Sequence, residues 1–84
     1  MYFVYLLKSR KTGNLYIGCT SDLRKRFIEH NKNQVRSTKY QGPYELIYYE
    51  AYKSEKDAFH REKNLKLRAN ALTGLKRRLL ESLH

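Results

Sequence analysis

The sequence predicts a small α+β domain in which three strands and three helices follow one another in the order β-β-α-β-α-α. The first supporting observation is length, because 84 residues leave room for one hydrophobic core and no second domain. The second is the apolar pattern, which changes between short runs typical of strands and the spacings of three and four typical of helices. A single helix separates the second and third strands, which is compatible with a small mixed or antiparallel sheet.

The first 20 residues predict a β-hairpin. Aromatic and β-branched residues are frequent in Tyr2–Lys8, and the turn-forming residues 11–14 separate this segment from a second strand at Leu15–Thr20. Because side chains alternate along a strand, the apolar residues of the second strand share one face. Tyr16 therefore points to the other face, away from the main apolar side.

A first helix is predicted between Ser21 and about Asn31. Ser21 is the expected N-cap, and Asp22 places a negative charge at the positive end of the helix dipole. The apolar stripe of this helix consists of Leu23, Phe27 and Ile28. Residues 31–43 are polar and basic and contain Gly42-Pro43, which predicts a long loop.

A third strand and two further helices complete the predicted fold. The strand covers Glu45–Tyr52, and the next helix begins with a capping-box pattern at Ser54 and ends near Arg68. The last helix begins at Asn70 or Thr73. Its leucines recur at spacings of three and four, which favours packing on the sheet of the same domain. They are Leu72, Leu75, Leu79 and Leu83.

The charge balance indicates a polyanionic partner. The chain has 18 Lys and Arg against 8 Asp and Glu, which gives a formal net charge of +10. Nucleic acid is the first expectation and an anionic membrane surface is the second. The basic residues extend over the whole chain, so they do not form a disordered tail on a folded core. A basic protein associated with ribosomes is a weaker alternative.

Several classes of protein are excluded by what the sequence lacks. No apolar run approaches the roughly 20 residues of a membrane-spanning helix. The segment Met1–Lys8 has no basic residues before its apolar stretch and no small-residue cleavage site, so we interpret it as a strand and not a signal peptide. Cys19 is the only cysteine, which excludes an internal disulfide and the usual cysteine-based zinc sites. These features favour a reducing compartment, most simply the cytoplasm.

Glu62 lies within the apolar arc of its predicted helix. At 100° per residue it is rotated by about 40° from Ala58, on the same side as Leu65. An unpaired carboxylate on such a face is costly, so Glu62 must contact a cation, change its pKa or lie at the edge of a functional site. The sequence leaves a structural salt bridge and a functional role equally open.

Arg24, Arg26 and His30 lie on the first predicted helix. Arg26 and His30 are four residues apart and share one side, with His30 close to the apolar stripe. An arginine that faces the edge of the sheet can bind a phosphate through two hydrogen bonds. Periodicity alone does not choose between the two arginines. Two solvated arginines beside a half-buried histidine are the structural alternative.

Three short motifs in a fixed order resemble a known family. Tyr16-Ile17-Gly18 follows Phe3-Val4-Tyr5 by one hairpin, and then comes the pattern Ser21-Asp22-Leu23-x-x-Arg26-x-x-x-His30. Arg61-Glu62-Lys63 follows on the later helix. This set resembles the GIY-YIG nuclease superfamily, above all its short, single-domain bacterial members. The resemblance extends from Tyr2 to about Leu80, so residues 1–84 are interpreted as one GIY-YIG-like nuclease domain.

The resemblance implies a fold, an activity and a set of site residues. The family fold is a three-stranded, mainly antiparallel sheet with helices packed around it, and its members cut DNA phosphodiester bonds with one divalent metal, normally Mg²⁺, or with Mn²⁺. By position, Glu62 would be the metal ligand and Arg26 the residue that binds phosphate. Tyr16 would position or deprotonate the attacking water, and Tyr5 would form a hydrogen bond in the same site. His30 would assist as a base or as an orienting group.

The expected function is therefore a metal-dependent endonuclease acting on DNA, with a place in DNA repair or recombination. Specificity would come from DNA structure, from weak basic contacts or from a partner protein. Tyr40 is a candidate for stacking on an unpaired base. The basic candidates for backbone contact are Arg24, Lys32, Arg36, Lys39, Lys76, Arg77 and Arg78. The alternative is a non-catalytic protein that keeps the nuclease scaffold and binds DNA or RNA.

Overall fold

The computed structural model describes residues 1–84 and contains three strands, three α-helices and one short 3-10 helix. In chain order these are β1 (Tyr2–Ser9), β2 (Leu15–Thr20), α1 (Leu23–Asn31), the 3-10 helix (Arg36–Thr38), β3 (Tyr44–Tyr52), α2 (Glu55–Leu67) and α3 (Ala69–Arg78). The predicted α+β class and the order β-β-α-β-α-α are confirmed. None of the helices combines the length and the apolar character that crossing a membrane requires.

β1 is the central strand of an antiparallel sheet with the strand order β2-β1-β3. Tyr5 of β1 lies opposite Gly18 of β2 and opposite Tyr49 of β3. A bulge between Leu6 and Leu7 shifts the register of β1 against β3. Because β1 has a hydrogen-bonded neighbour on each side and packed side chains on each face, its middle residues are almost completely buried.

The two faces of the sheet form two separate clusters of buried side chains. On one face, Val4 and Ile17 pack against side chains of α2 and α3. On the other face, Tyr5 and Tyr44 pack beneath α1. Tyr16 belongs to this second face, as the alternation along β2 predicts. The sheet therefore separates the larger core under α2 and α3, whose buried centre is aliphatic, from a second layer under α1 that contains Tyr5, Tyr16 and Tyr44.

Asp22, and not Ser21, is the N-cap of α1. The Asp22 side chain accepts a hydrogen bond from the backbone N–H of Lys25 at 3.1 Å, and Leu23 is the first helical residue. The prediction of Ser21 as the cap is wrong by one residue. Both residue types cap helices well, and a local hydrogen bond in the turn before the helix favours Asp22. The Thr20 hydroxyl accepts the backbone N–H of Asp22 at 3.1 Å and fixes the turn before the helix.

The last helix begins earlier than its leucine pattern predicts. α3 begins at Ala69, directly after α2, so the two predicted starts at Asn70 and Thr73 both lie inside the helix. No side chain caps its first turn, so the sequence contains no capping signal at the true start. α3 ends at Arg78, and the buried Leu79 continues the apolar side beyond the last helical residue.

A partly buried ion pair ties α2 to the edge strand β3. Arg61 donates from Nε and Nη2 to the two carboxylate oxygens of Glu50 at 2.9 and 3.0 Å, and the hydroxyls of Tyr48 and Tyr52 donate to the same carboxylate. Burial raises the pKa of Glu50, but these donors outweigh it and hold that pKa below its usual range. Because Glu62 follows Arg61 directly, the pair also fixes the rotation of α2 that orients Glu62.

Candidate active site

A hydrogen-bonded chain of buried side chains lies between β1 and α1. The Tyr5 hydroxyl is 2.9 Å from Nε2 of His30, and Nδ1 of His30 is 2.7 Å from Oγ1 of Thr38. The Thr38 hydroxyl donates to the carbonyl oxygen of Val35 at 3.4 Å, so its oxygen accepts the Nδ1–H of His30. Nε2 of His30 then accepts a hydrogen bond from the Tyr5 hydroxyl. The donors therefore run in one direction, from Tyr5 to His30, from His30 to Thr38 and from Thr38 to the Val35 carbonyl.

Tyr5 and His30 are both uncharged at neutral pH. Burial raises the pKa of Tyr5 to about 12, although the nearby Arg26 guanidinium opposes this effect. Burial lowers the pKa of His30 to about 4, and the charge of Arg26 lowers it further. His30 is completely buried, and not half-buried as in the structural alternative, because Thr38 of the 3-10 helix contacts its Nδ1.

Tyr16 lies beside this buried pair but is partly exposed. Its ring centroid is 4.9 Å from that of His30 and 6.4 Å from that of Tyr5. The Ser37 hydroxyl, next to the buried part of the 3-10 helix, donates to the Tyr16 hydroxyl at 3.2 Å. Of the two tyrosines, Tyr16 is the one whose hydroxyl lies at the surface.

Arg26 is the arginine of α1 that lies beside the tyrosines. It is one turn before His30. Burial lowers the pKa of Arg26, but the neighbouring Tyr5 hydroxyl and Glu29 carboxylate outweigh this effect and raise that pKa. Nη1 of Arg26 is 3.3 Å from Oε1 of Glu29, and the side chain is 39% exposed. Arg24 instead lies on the side of α1 that faces β3. The structure thus separates the two arginines between which helical periodicity does not choose.

Glu62 extends from α2 toward the same region. Its side chain is 15% exposed, and its Oε2 is 3.1 Å from Nζ of Lys66, one turn later. The same Nζ is 5.9 Å from the centroid of the Tyr16 ring, so Lys66 lies between the carboxylate and the tyrosine. The structure contains the salt bridge that the sequence left open, and it also places Glu62 beside the tyrosine layer.

The end of β2 connects Arg26 with Glu62. Arg26 lines a shallow cleft together with Cys19, Thr20 and Ser21. Glu62 lines an adjoining cleft that includes the same three residues. An extended polyanion that crossed the end of β2 would therefore meet a guanidinium on one side and a carboxylate on the other.

The donor set at this cleft fits one kind of metal site. No group of three or more His, Cys, Asp and Glu side chains converges anywhere in residues 1–84. A cage made only of protein ligands is therefore absent. Mg²⁺ is commonly held by one or two carboxylates together with water and substrate phosphates. Glu62, with its carboxylate in an open cleft, fits that arrangement.

Apart from Arg24, the predicted contacts to nucleic acid fall into two separate groups. One group consists of exposed residues between α1 and β3, in the segment whose Ser37 contacts Tyr16. Its members are Lys32, Arg36, Lys39 and Tyr40. The second group, residues 76–78, is exposed at the end of α3, which packs on the opposite face of the sheet. Only the first group borders the tyrosine layer.

Three side chains of the site carry no signal in the sequence. Thr38 and Ser37 reach His30 and Tyr16 from a loop that the sequence describes only as polar and basic. Lys66 is one of many basic residues, and its neighbours are set by the rotation of α2. A capping or charge pattern could not reveal them, because each contact depends on tertiary packing.

Gly18 is the position in β2 where only glycine fits. A Cβ at Gly18 would overlap the ring and hydroxyl of Tyr5 on the neighbouring strand. We expect Gly18→Ala to destabilise the fold by about 1–3 kcal/mol and to displace Tyr5, since overpacking forces side chains from their positions. Chemical denaturation measures the loss. The control is Gly74→Ala in α3, because no atom lies within 4 Å of a Cβ added at Gly74. There the free energy of unfolding should be unchanged or rise by up to about 1 kcal/mol.

The buried His30 makes a testable contribution to acid sensitivity. Its pKa falls from 6.5 to about 4 on folding, so the unfolded chain binds a proton more readily between these values. The stability from this group is complete above pH 6.5 and is lost as the pH falls toward 4, by up to about 3 kcal/mol.

The expected result is a flatter stability profile between pH 7 and pH 4 in His30→Gln, which is also less stable at neutral pH. Urea unfolding at several pH values measures this. His60→Gln is the matched control, because His60 is exposed on α2 and its loss should leave the profile of the wild type unchanged. A steep acid loss that persists in His30→Gln would assign the effect to other groups.

The chain is similar to known proteins along most of its length. Residues 1–76 match the family model described as the GIY-YIG catalytic domain. A UPF0213 protein of Staphylococcus saprophyticus is 36% identical over 66 residues, which cover 77% of this chain and 79% of the relative. A UPF0213 protein of Staphylococcus epidermidis is 38% identical over 66 residues with the same coverage.

A solved structure is similar as well. The solution NMR structure of the UPF0213 protein BH0048 from Bacillus halodurans matches with a TM-score of 0.56 and 28% identity, over 89% of this chain and 82% of that one. The match to the family model includes the whole cluster from Tyr5 to Glu62. The protein therefore belongs to the GIY-YIG family, a family of nuclease-type catalytic domains, and resembles its short bacterial UPF0213 members.

Proposed function

We propose that this protein is a metal-dependent endonuclease that hydrolyses phosphodiester bonds in DNA. The observation that supports this most strongly is that Arg26 and Glu62 line adjoining clefts at the end of β2, while Lys66, the partner of Glu62, lies over the ring of Tyr16. Membership of the GIY-YIG family supports nuclease-type chemistry. The net charge of +10 supports a polyanionic substrate.

In this proposal Arg26 binds the phosphate that is attacked. Its guanidinium is partly exposed and lines the cleft at the end of β2, so it can donate two hydrogen bonds to phosphoryl oxygens. Negative charge increases on these oxygens in the transition state. A fixed guanidinium then binds the transition state more strongly than the substrate, which lowers the barrier.

The two tyrosines have different roles in the proposal. Tyr16 positions or deprotonates the attacking water, because its hydroxyl lies at the surface of the site. Tyr5 keeps its proton, since its pKa is about 12 and its hydroxyl donates to His30. Tyr5 and His30 are therefore positioning residues, which hold the Tyr16 ring and the Arg26 guanidinium in place.

Glu62 is the residue that would hold a divalent metal. When bound there, Mg²⁺ or Mn²⁺ would neutralise charge on the phosphate and polarise it. The neighbouring Arg61–Glu50 pair ties α2, the helix that carries Glu62, to β3. The orientation of Glu62 is therefore set by the fold, before any nucleic acid arrives.

We also propose a substrate class and a setting for the activity. A small open site with exposed basic residues on one adjacent loop favours recognition of DNA structure, with RNA as a second substrate class. Each basic contact is weak and sensitive to salt, so a partner protein would add specificity. We place the activity in the cytoplasm, in DNA repair or recombination.

One observation favours a second candidate function. Glu62 is already paired with the Lys66 ammonium at 3.1 Å, so its charge is compensated without a metal. If the Glu62–Lys66 pair persists when nucleic acid is bound, Glu62 holds no metal. The protein would then bind nucleic acid through its positive charge and would not cut it. The two candidates differ in one property, which is dependence on a divalent cation.

Cleavage of labelled DNA tests the proposal. The substrates are duplex, single-stranded and branched DNA together with a matched RNA, each with Mg²⁺, Mn²⁺ or a chelator. We expect products only with the divalent cations, and most of them from one DNA structure. Binding that is sensitive to salt, with no products under any condition, would support the non-catalytic alternative.

A further inference from the structure

A second concave surface lies on the side of α1 that faces β3, and we call it the aromatic groove. It is an open depression of about 520 Å³ between α1 and the sheet. Its main lining residues are Phe3, Leu23, Arg24, Phe27, Leu46 and Tyr49. Arg26 and Glu62 do not line the groove; they line the clefts at the end of β2.

Two aromatic rings of the groove are available to a ligand. The rings of Phe3 and Tyr49 meet edge to face, with centroids 5.9 Å apart and an angle of 67° between their planes. Tyr49 is 51% exposed although it lies on the same sheet face as α1. An exposed ring beside an apolar floor offers a stacking surface to a planar heterocycle.

The charges around the groove favour nucleic acid over a second copy of the chain. Arg24 is exposed at the groove and takes part in no salt bridge, so its guanidinium is free to bind an anion. Asp22 is the acidic residue at the margin, and its carboxylate is engaged as the cap of α1. With a net charge of +10, two copies repel each other.

The groove is continuous with the cleft of Arg26. Ser21 and Asp22 line both surfaces, because they form the turn that leads from β2 into α1. A strand whose phosphate lies on Arg26 therefore reaches the groove by passing around the start of α1. The two sites are arranged to contact neighbouring parts of one strand.

We propose that the aromatic groove binds an unpaired nucleobase next to the phosphate on Arg26, while Arg24 contacts an adjacent phosphate. This inference rests on the proposed function and specifies its substrate class, which is DNA with a single-stranded flap or overhang at the cleavage site. A base inside a continuous duplex is stacked and paired, so its face cannot contact Tyr49. Stacking on aromatic side chains is tolerant of sequence, so the groove selects for DNA structure.

Binding without metal tests this inference separately from cleavage. The probes are two fluorescent DNAs of equal length, one a full duplex and one a duplex with a short flap that carries 2-aminopurine, both in the presence of a chelator. We expect the wild type to bind the flap about five- to tenfold more tightly and to quench 2-aminopurine. Tyr49→Ala should lose both effects and keep its duplex affinity, whereas Tyr49→Phe should retain them.

Leu80→Ala is the control, since Leu80 is an exposed apolar residue after α3, on the other face of the sheet. It should behave as the wild type. Equal affinity of the wild type for both DNAs, or an equal loss on both in Tyr49→Ala, would overturn the inference. A dimer in sedimentation that Tyr49→Ala dissociates would also overturn it. Cleavage without flap preference would refute the inference alone, and flap preference without cleavage would refute the nuclease function alone.

Discussion

Replacing Glu62 with Gln is expected to lower the rate of DNA cleavage by about a thousandfold or more, while DNA affinity changes by less than about twofold. Gln has nearly the same shape as Glu but carries no charge, so it cannot hold Mg²⁺ as a carboxylate does. The substitution also removes the pair with Lys66, which as a partly exposed pair within one helix contributes only about 0.5 kcal/mol or less to stability. Single-turnover cleavage and DNA binding measure the two effects.

The control for this substitution is Glu81→Gln, which changes the net charge by the same amount at an exposed position after α3. It should cleave at the rate of the wild type. Mn²⁺ binding, followed by electron paramagnetic resonance, should be lost in Glu62→Gln and kept in Glu81→Gln. Unchanged cleavage in Glu62→Gln would show that this carboxylate holds no catalytic metal.

Replacing Arg26 with Lys is expected to lower the cleavage rate by about a hundred- to a thousandfold, although the positive charge is kept. Lysine cannot donate two parallel hydrogen bonds to a phosphate, and its ammonium would lie differently beside Tyr5. The effect should appear in the single-turnover rate more than in DNA affinity, because the proposed contact strengthens in the transition state.

Arg10→Lys is the matched control for this prediction. Arg10 is exposed in the turn after β1 and pairs with Glu45 at 3.2 Å, outside the cleft that contains Arg26. The substitution Arg10→Lys therefore makes the same chemical change away from the site. Its cleavage rate should equal that of the wild type. A weaker DNA affinity with an unchanged rate in Arg26→Lys would mean that Arg26 only attracts DNA, without a role in the chemical step.

The order of the elements was predictable from the sequence because local pattern determines it. Turn residues separate the first two strands, and alternation along β2 places Tyr16 on the face opposite to Ile17. The side chain of Ser54 caps α2 as its capping-box pattern predicts. The start of α3 was not predictable, since no side chain caps its first residue, Ala69.

The partners of the site residues were less predictable, because they depend on contacts between distant segments. Helical periodicity places His30 only close to the apolar stripe, yet Tyr5 and Thr38 enclose it from two other elements. Periodicity also left Arg24 and Arg26 equivalent. The packing of α1 on the sheet distinguishes them by turning one toward β2 and the other toward β3.

The position of Glu62 on one face of α2 predicts that it has a partner but not which residue the partner is. Its position in the apolar arc of α2 predicted that it must find a cation or a site. The structure contains the pair with Lys66, and it places Glu62 in the lining of a cleft at the end of β2. The sequence alone could not select Lys66, because the chain has 18 Lys and Arg residues.

Single-turnover cleavage of a flapped DNA by the wild type and by Tyr16→Phe, with Mg²⁺ and with a chelator, tests the central claim most directly. Tyr16→Phe removes one oxygen and leaves the ring that packs beside His30. The account predicts products from the wild type with Mg²⁺ alone and a rate about a hundredfold lower in Tyr16→Phe. Cleavage by Tyr16→Phe at the rate of the wild type, or cleavage in the presence of the chelator, would contradict it.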